Sequence, residues 1–233
     1  MPSTQTLTQA ERYVASLPKE EGQPKVCDLV QYLLIMDQKK IPIKKLDINK
    51  YVLKEHSRAF NMFFRRAKTT LKEVFGINLI ELDAKQKSYI LVNILENDDD
   101  RAHLVWPPED NAKMGLLMVI LTTIFMKGNI MQDSLLYHML KKLGIDTEQN
   151  HPVFGDLKRL ITQEFVRMGY LEYVRDPKSD PPVYDFKWGP RAKLEISKRN
   201  ALDFVCQIYE VDPEIWTSQW QDVKREEELT NGN

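Results

Sequence analysis

Among 233 residues the chain carries only two cysteines, four histidines and nine glycines, and each shortage removes a class of chemistry. Cys27 and Cys206 lie far apart and neither has a partner at metal-ligand spacing. A disulfide framework and a zinc site are therefore poor readings, and two buried free thiols in a reducing compartment are expected. His56, His103, His138 and His151 are isolated, with no HExxH and no Cys/His pairing. No GxxxxGK[ST] or GxGxxG loop is present to cradle a phosphate, and no Ser or Cys sits in a nucleophile elbow. The sequence predicts a protein without catalytic residues, metal or cofactor.

An excess of either charge is also missing, with 33 Lys and Arg against 34 Asp and Glu. Any nucleic-acid role must then come from local clustering. Long apolar runs are absent too. The most hydrophobic stretch, Gly115 to Met126 (GLLMVILTTIFM), is shorter than the roughly 20 residues a bilayer span requires. No signal-peptide pattern opens the chain. A soluble intracellular protein with no membrane partner is expected.

What is present is an order of amphipathic segments that occurs twice. Val26, Leu29, Val30, Leu33 and Leu34 have helical spacing, and a shorter helix follows Pro42 through Leu46, Tyr51 and Leu53. A third helix sets Phe60, Phe63, Phe64, Ala67, Leu71, Val74 and Phe75 on one face and stops at Gly76. Strand-like runs at 78–83 and 88–95 complete the plan of a winged helix. The acidic, proline-bearing stretch that follows breaks all periodicity. Helices are then expected over 114–126, through Leu135 to Leu143, and through Leu157 to Met168, followed by a second hairpin. The resulting division is a flexible segment 1–24, winged helix 25–95, linker 96–112, winged helix 113–211, and a C-terminal helix and tail 212–233. Within the first segment, Thr8 to Glu11 can form a capping box ahead of an apolar stripe from Leu7 to Leu17. The fold class is mainly α with small β-hairpin wings, in tandem.

The second hairpin, VRDPKSDPPVYDFKWGPRA, has three prolines in its turn and no Asn-Gly or Asp-Gly pair, so a wide loop is predicted. Tyr184, Phe186 and Trp188 alternate along its second strand and should face the core. Gly189-Pro190 is expected to open one long helix reaching about Tyr209.

Charge is unevenly placed. Between Lys39 and Lys72 eleven basic residues meet only Asp47 and Glu55. Arg65, Thr69 and Lys72 lie opposite the phenylalanine face of the third helix, which in many winged helices meets DNA, and Arg65, Lys68 and Lys72 are its candidate phosphate contacts. The alternative is a solvated helical surface. In the second half Lys158 and Arg159 open the third helix, and Lys178 and Lys187 lie on the wing, where they could follow a phosphate backbone without reading bases.

The blocks LVQYLLIMDQKKIPIKK, AKTTLKEVFGINLIELD, GLLMVILTTIFMKGN, HPVFGDLKRLITQEFVRMGYLEY and VYDFKWGPRAKLEISK, in this order, resemble the melanoma-antigen (MAGE) homology domain. The likeness covers about Val26 to Val211, and it is strongest to the ancestral-type branch that serves the SMC five–six complex. It implies tandem winged helices and a non-catalytic adaptor. The implied partners are a RING-type ubiquitin ligase subunit and a kleisin subunit, with double-stranded DNA bound by the assembled subcomplex. It also implies a nuclear, chromatin-associated role in DNA repair. The family's dileucine falls on Leu33-Leu34 and is associated with RING binding, although periodicity also assigns both leucines to the core stripe. Kleisin binding is implied for the second winged helix, with Phe165, Met168 and Tyr170 as candidates. The rival expectation is a MAGE-type ligase regulator that binds no DNA.

Overall fold

The structure is a computed structural model that describes residues 19–83, 85, 87–95 and 108–231. The capping box at Thr8–Glu11, the stripe from Leu7 to Leu17 and most of the expected linker lie outside the described residues. The chain divides into two compact units, Met1–Asn97 and Asp98–Asn233.

In the first unit, helix α1 (Lys19–Asp37) buries Val26, Leu29, Val30 and Leu33 at the predicted spacing. It begins ahead of the expected boundary because Pro24 is accommodated inside the helix, near its start. A proline there removes a single backbone bond. Cys27 falls between the buried positions and is exposed, contrary to the expected buried thiol.

Strand β1 (Ile43–Lys44) leads into α2 (Lys45–Ile48), which widens into a π turn over Asn49–Leu53 and tightens into a 3₁₀ turn over Lys54–Ala59. This replaces the single short helix that was expected. The changed pitch puts Ile48, Val52 and Leu53 inside and leaves Leu46 at 76% and Tyr51 at 56% exposure.

Helix α3 (Phe60–Phe75) buries Phe60, Phe63, Ala67 and Leu71. Its last two residues, Val74 and Phe75, project past the core instead of joining it. Gly76 ends the helix at φ +62°, a left-handed conformation natural to glycine. The wing strands β2 (Ile77–Asp83) and β3 (Ser88–Asn93) pair antiparallel, with Leu79 opposite Leu91. β1 pairs with the other edge of β3, giving the order β1-β3-β2.

The second unit repeats the plan. Helix α4 (Pro108–Met126) starts inside the expected linker, with proline at its first position. Strand β4 (Met131–Gln132) and α5 (Asp133–Lys142) follow. The third helix is α6 (Leu157–Arg159), a π turn at Leu160–Glu164, and α7 (Phe165–Met168). Strands β5 (Leu171–Arg175) and β6 (Tyr184–Trp188) form the wing, and β4 on the far edge of β6 gives the order β4-β6-β5. Phe186 and Trp188 are buried as expected, Tyr184 is half-buried, and the loop between the strands is wide.

The expected single helix from Pro190 to Tyr209 is two helices. Helix α8 (Ala192–Glu195) ends at Ile196, which is extended, and α9 (Lys198–Tyr209) restarts from Ser197. The Ser197 hydroxyl accepts the Asn200 N–H at 3.0 Å, a side-chain cap that stabilises the new start. After a 3₁₀ turn at Pro213–Ile215, α10 (Thr217–Asn231) buries Val223 and packs Trp216 and Trp220 onto the core of the second unit. The C-terminal helix therefore belongs to that unit.

Candidate partner-docking and phosphate-facing surfaces

The two leucines of the dileucine are placed differently. Successive helical residues point about 100° apart, so Leu33 is fully buried while Leu34 packs on the rim of the core. Direct docking through Leu33 would require the first unit to open, whereas Leu34 is partly accessible.

Beside it lies a groove of about 320 Å³ between α1 and the π turn, lined by Lys25, Asp28, Tyr32, Ile35, Tyr51 and Lys54. Lys25 Nζ reaches the Val52 carbonyl at 3.4 Å and ties the two walls together. Ile35 is 50% exposed on the α1 side. Burial, then the nearby charge of Asp47, pushes the Tyr32 phenol above its ordinary range, so it stays neutral. Large apolar side chains in an open groove suit a protein partner. Sequence reading missed this surface because helical periodicity placed Leu46 and Tyr51 inside.

The kleisin candidates are also mostly interior. Phe165 is fully buried and Tyr170 nearly so; only Met168 reaches the surface in part. Tyr170 and the Met168 carbonyl join an internal network. Tyr170 Oη donates to Glu195 Oε2 at 2.5 Å, and Arg191 Nη1 donates to Glu195 Oε1 at 2.9 Å. Arg191, with no exposed surface, also donates through Nε to the Met168 carbonyl at 2.9 Å. Burial, then the Glu195 carboxylate, pushes the Tyr170 phenol far up, so it acts as a hydrogen-bond donor. Trp188 Nε1 donates to the Leu121 carbonyl at 2.7 Å. Gly189 passes so close to the Gly169 carbonyl that an added Cβ would overlap its oxygen. The WGPRA segment thus clamps the end of the third helix to the base of the wing.

The basic candidates separate into unequal sets. Arg65, Lys68 and Lys72 are all exposed on α3. In the second unit Lys158 is engaged by Glu148 at 2.7 Å, and Arg159 is exposed one residue further along α6. Lys178 lies in the wing loop, whereas Lys187 pairs with Glu172 near the base of the hairpin. Lys178 and Lys187 thus lie toward opposite ends of the hairpin. Lys187 instead joins Lys193 and Lys198 around a hollow of about 450 Å³ that also touches Asn129, Trp188 and Glu226. Lys198 lies 3.8 Å from both Asp222 and Glu226, which offset its charge.

Among the described residues, no group of three or more His, Cys, Asp or Glu is placed to hold a metal ion. Among the same residues, no helix is long and apolar enough to cross a membrane.

Two units of one plan, the second clamped by a WGPRA box, can be compared with known proteins. The family model of the MAGE homology domain matches residues 29–199. The chain belongs to the MAGE family. The human non-structural maintenance of chromosomes element 3 homolog is 43% identical over 229 residues, covering 97% of this MAGE chain and 75% of that protein. Human melanoma-associated antigen D2 is 44% identical over 195 residues, 84% of this chain but only 32% of the relative. A solved chain of an Nse1-Nse3-Nse4 complex superposes with a TM-score of 0.83 at 45% identity, covering 89% of this chain and all of that one. The tandem winged-helix fold and the likeness to the element 3 subunit, both expected from the sequence, are therefore established.

Proposed function

We propose that this MAGE chain is a non-catalytic adaptor subunit of a chromosome-maintenance SMC complex in the nucleus, associated with chromatin. It bridges a RING-type ubiquitin ligase subunit and a kleisin, stimulates ubiquitin transfer by the former, and contributes sequence-independent contact to double-stranded DNA during repair. The observation that carries this reading is the superposition on the whole of a solved chain from a three-subunit complex. The groove beside α1, with Ile35 and Tyr51 exposed, supports docking of the RING subunit on the first unit.

Capture of purified RING subunit and kleisin fragment by the chain tests the bridge, and both together should be retained on it. Ile35→Ala with Tyr51→Ala should weaken RING capture and leave the melting temperature nearly unchanged, since both residues are largely exposed. Unaltered capture would remove the groove from the reading. Ubiquitin discharge should rise on adding the chain only when the RING subunit is present. Activity with the chain and a conjugating enzyme alone would defeat the adaptor role.

The comparable identity to melanoma-associated antigen D2 favours a second reading, a MAGE-type ligase regulator without DNA binding. RING capture without kleisin capture would select it.

A further inference from the structure

Where α9 ends, an acidic hollow lies beside an exposed apolar edge. The hollow holds about 430 Å³ and is lined by Asp203, Cys206, Gln207, Glu210, Val211 and Asp212. Asp203, Cys206, Gln207 and Glu210 recur at i, i+3, i+4 and i+7, so one helical face supplies most of the wall. The chain then folds back, with the Val211 N–H donating to the Cys206 carbonyl at 3.1 Å, and Val211 and Asp212 complete the lining. Tyr209 at 65% and Ile215 at 64% exposure flank this turn, and the Tyr209 ring meets that of Trp216 edge-on at 6.1 Å.

Three features separate this end of the unit from ordinary solvated charge. Among the described residues, no Lys, Arg or His nitrogen lies within 4.0 Å of a carboxylate of Asp203, Glu210, Asp212 or Glu214. The acids of α10 differ, since Asp222 and Glu226 face Lys198 at 3.8 Å and Glu227 holds Arg199. The second feature is an apolar floor beneath the acids. Cys206 is a free thiol, 7% exposed and without a hydrogen-bond partner among the described residues. Burial, then the charges of Asp203 and Asp212, push this thiol up, so it stays neutral. The third feature is the C-cap itself. Glycine is the usual residue at a left-handed cap, yet this one is Glu210 at φ +52°. A carboxylate is thus kept on the rim at a conformational cost. The C-terminal end of α9 adds its own partial negative charge at the same place.

We propose that this end of the second unit docks a basic segment of a protein partner. A Lys or Arg stem lies along Cys206 and Val211 with its head among Asp203, Glu210 and Asp212, and a neighbouring apolar side chain rests on Tyr209 and Ile215. Charge complementarity selects this occupant. Unpaired carboxylates repel the phosphates of nucleic acid and of an anionic membrane, and a small free cation has no apolar surface to place on the edge. The contact is additional to the RING and kleisin bridge.

The test is fluorescence anisotropy of the full chain with short labelled peptides in which lysine or arginine alternates with leucine, set against a glutamate–leucine peptide. The cationic peptides should bind, more weakly as salt is raised, and the acidic peptide should not. The triple variant Asp203→Asn, Glu210→Gln and Asp212→Asn should bind them at least about tenfold more weakly, with its melting temperature close to the parent's. Tyr209→Ala with Ile215→Ala should lose affinity for the lysine–leucine peptide. Glu210→Gly separates binding from folding, because glycine suits the left-handed cap: its melting temperature should hold or rise while its affinity falls. RING and kleisin capture should match the parent in every variant. Equal binding by the parent and the triple variant would overturn the proposal, as would no binding of either cationic peptide. Displacement of the peptides by spermidine as readily as by unlabelled peptide would overturn it in favour of a general cation trap. Loss of kleisin capture by the triple variant would assign the surface to the bridge and overturn it as a separate site. Self-association in sedimentation that Tyr209→Ala with Ile215→Ala abolishes would make the edge an interface between copies and overturn it as well.

Discussion

The two units are alike in order and unlike in what they do with it. Each runs three helical segments into a hairpin, and each adds a short strand to make a sheet ordered first-third-second. Each ends its third helix on a left-handed glycine, Gly76 and Gly169. The first unit then leaves polar and apolar groups unspent at its surface: exposed cations on α3, and Leu46, Tyr51 and Ile35 beside α1. The second exposes apolar groups too, Leu143, Ile208 and Tyr209 among them, but it also holds an internal polar clamp and adds α9 and α10 over its core. One plan has produced two units that both expose apolar groups, and the arginine-centred clamp described above belongs to the second. Shared fold therefore says little about shared role, which depends on side chains mounted on the frame.

The strongest way to break the comparison is to break the clamp. Arg191→Ala leaves the Glu195 carboxylate without its guanidinium partner, beside a Tyr170 hydroxyl in low-dielectric surroundings. Removing one partner of a buried ion pair costs about 3–5 kcal/mol. Unfolding monitored by the near-ultraviolet signal of the second-unit tryptophans should shift accordingly. The first unit has no such internal ion pair among its described residues with an arginine at zero exposure, so its surface cations should tolerate the same change. A loss no larger for Arg191→Ala than for Arg65→Ala would remove the contrast.

The next effect divides two adjacent residues. Leu33→Ala should destabilise by about 2–5 kcal/mol, as truncation of a fully buried leucine does. Leu34→Ala, at the rim, should cost well under half as much and leave a folded chain for binding measurements. Denaturant unfolding of both single variants checks this, and equal losses would show that the dileucine works as a unit after all.

The sequence disclosed the frame because hydrophobic period, glycine stops and strand alternation are local signals, and they agreed with one another along both units. It was misread where a local pattern was bent by its surroundings. Leu46 and Tyr51 were assigned to one short helix with Leu53, but the segment is broken into α2, a π turn and a 3₁₀ turn, and both residues are exposed. Phe165 and Tyr170 were offered as docking residues because large apolar groups serve interfaces and cores equally well. Arg191 gave no warning of its burial, since an arginine in a turn is expected outside. Its role depends on Met168 and Glu195 meeting around it, which only tertiary structure brings about. The cations of α3 were legible in number and spacing. That Lys158 is engaged and Lys187 is separated from Lys178 was not.

The smallest expected effect concerns the helix that only the second unit carries. Arg199 on α9 donates to both Glu227 oxygens on α10, at 2.9 and 3.0 Å, and its guanidinium stacks on Trp220 at 4.3 Å. The hydrogen bonds from Arg199, followed by its charge, hold the Glu227 carboxyl below its ordinary value of 4.5. A carboxyl whose folded pKa is depressed contributes stability that is fully present above its unfolded pKa and is lost as pH falls through the folded one. The pair is open to solvent, so the contribution is small and salt-sensitive. Wild type and Glu227→Gln should therefore differ modestly in melting temperature near neutral pH, with wild type the higher. The gap should close as pH is lowered from about 5 to about 3, in the window where glutamate carboxyls titrate. Taking the difference cancels the other carboxylates, which protonate in both proteins. A gap that stays constant across this range would show that α10 is held by Val223, Trp216 and Trp220 alone, and that the added helix owes nothing to charge.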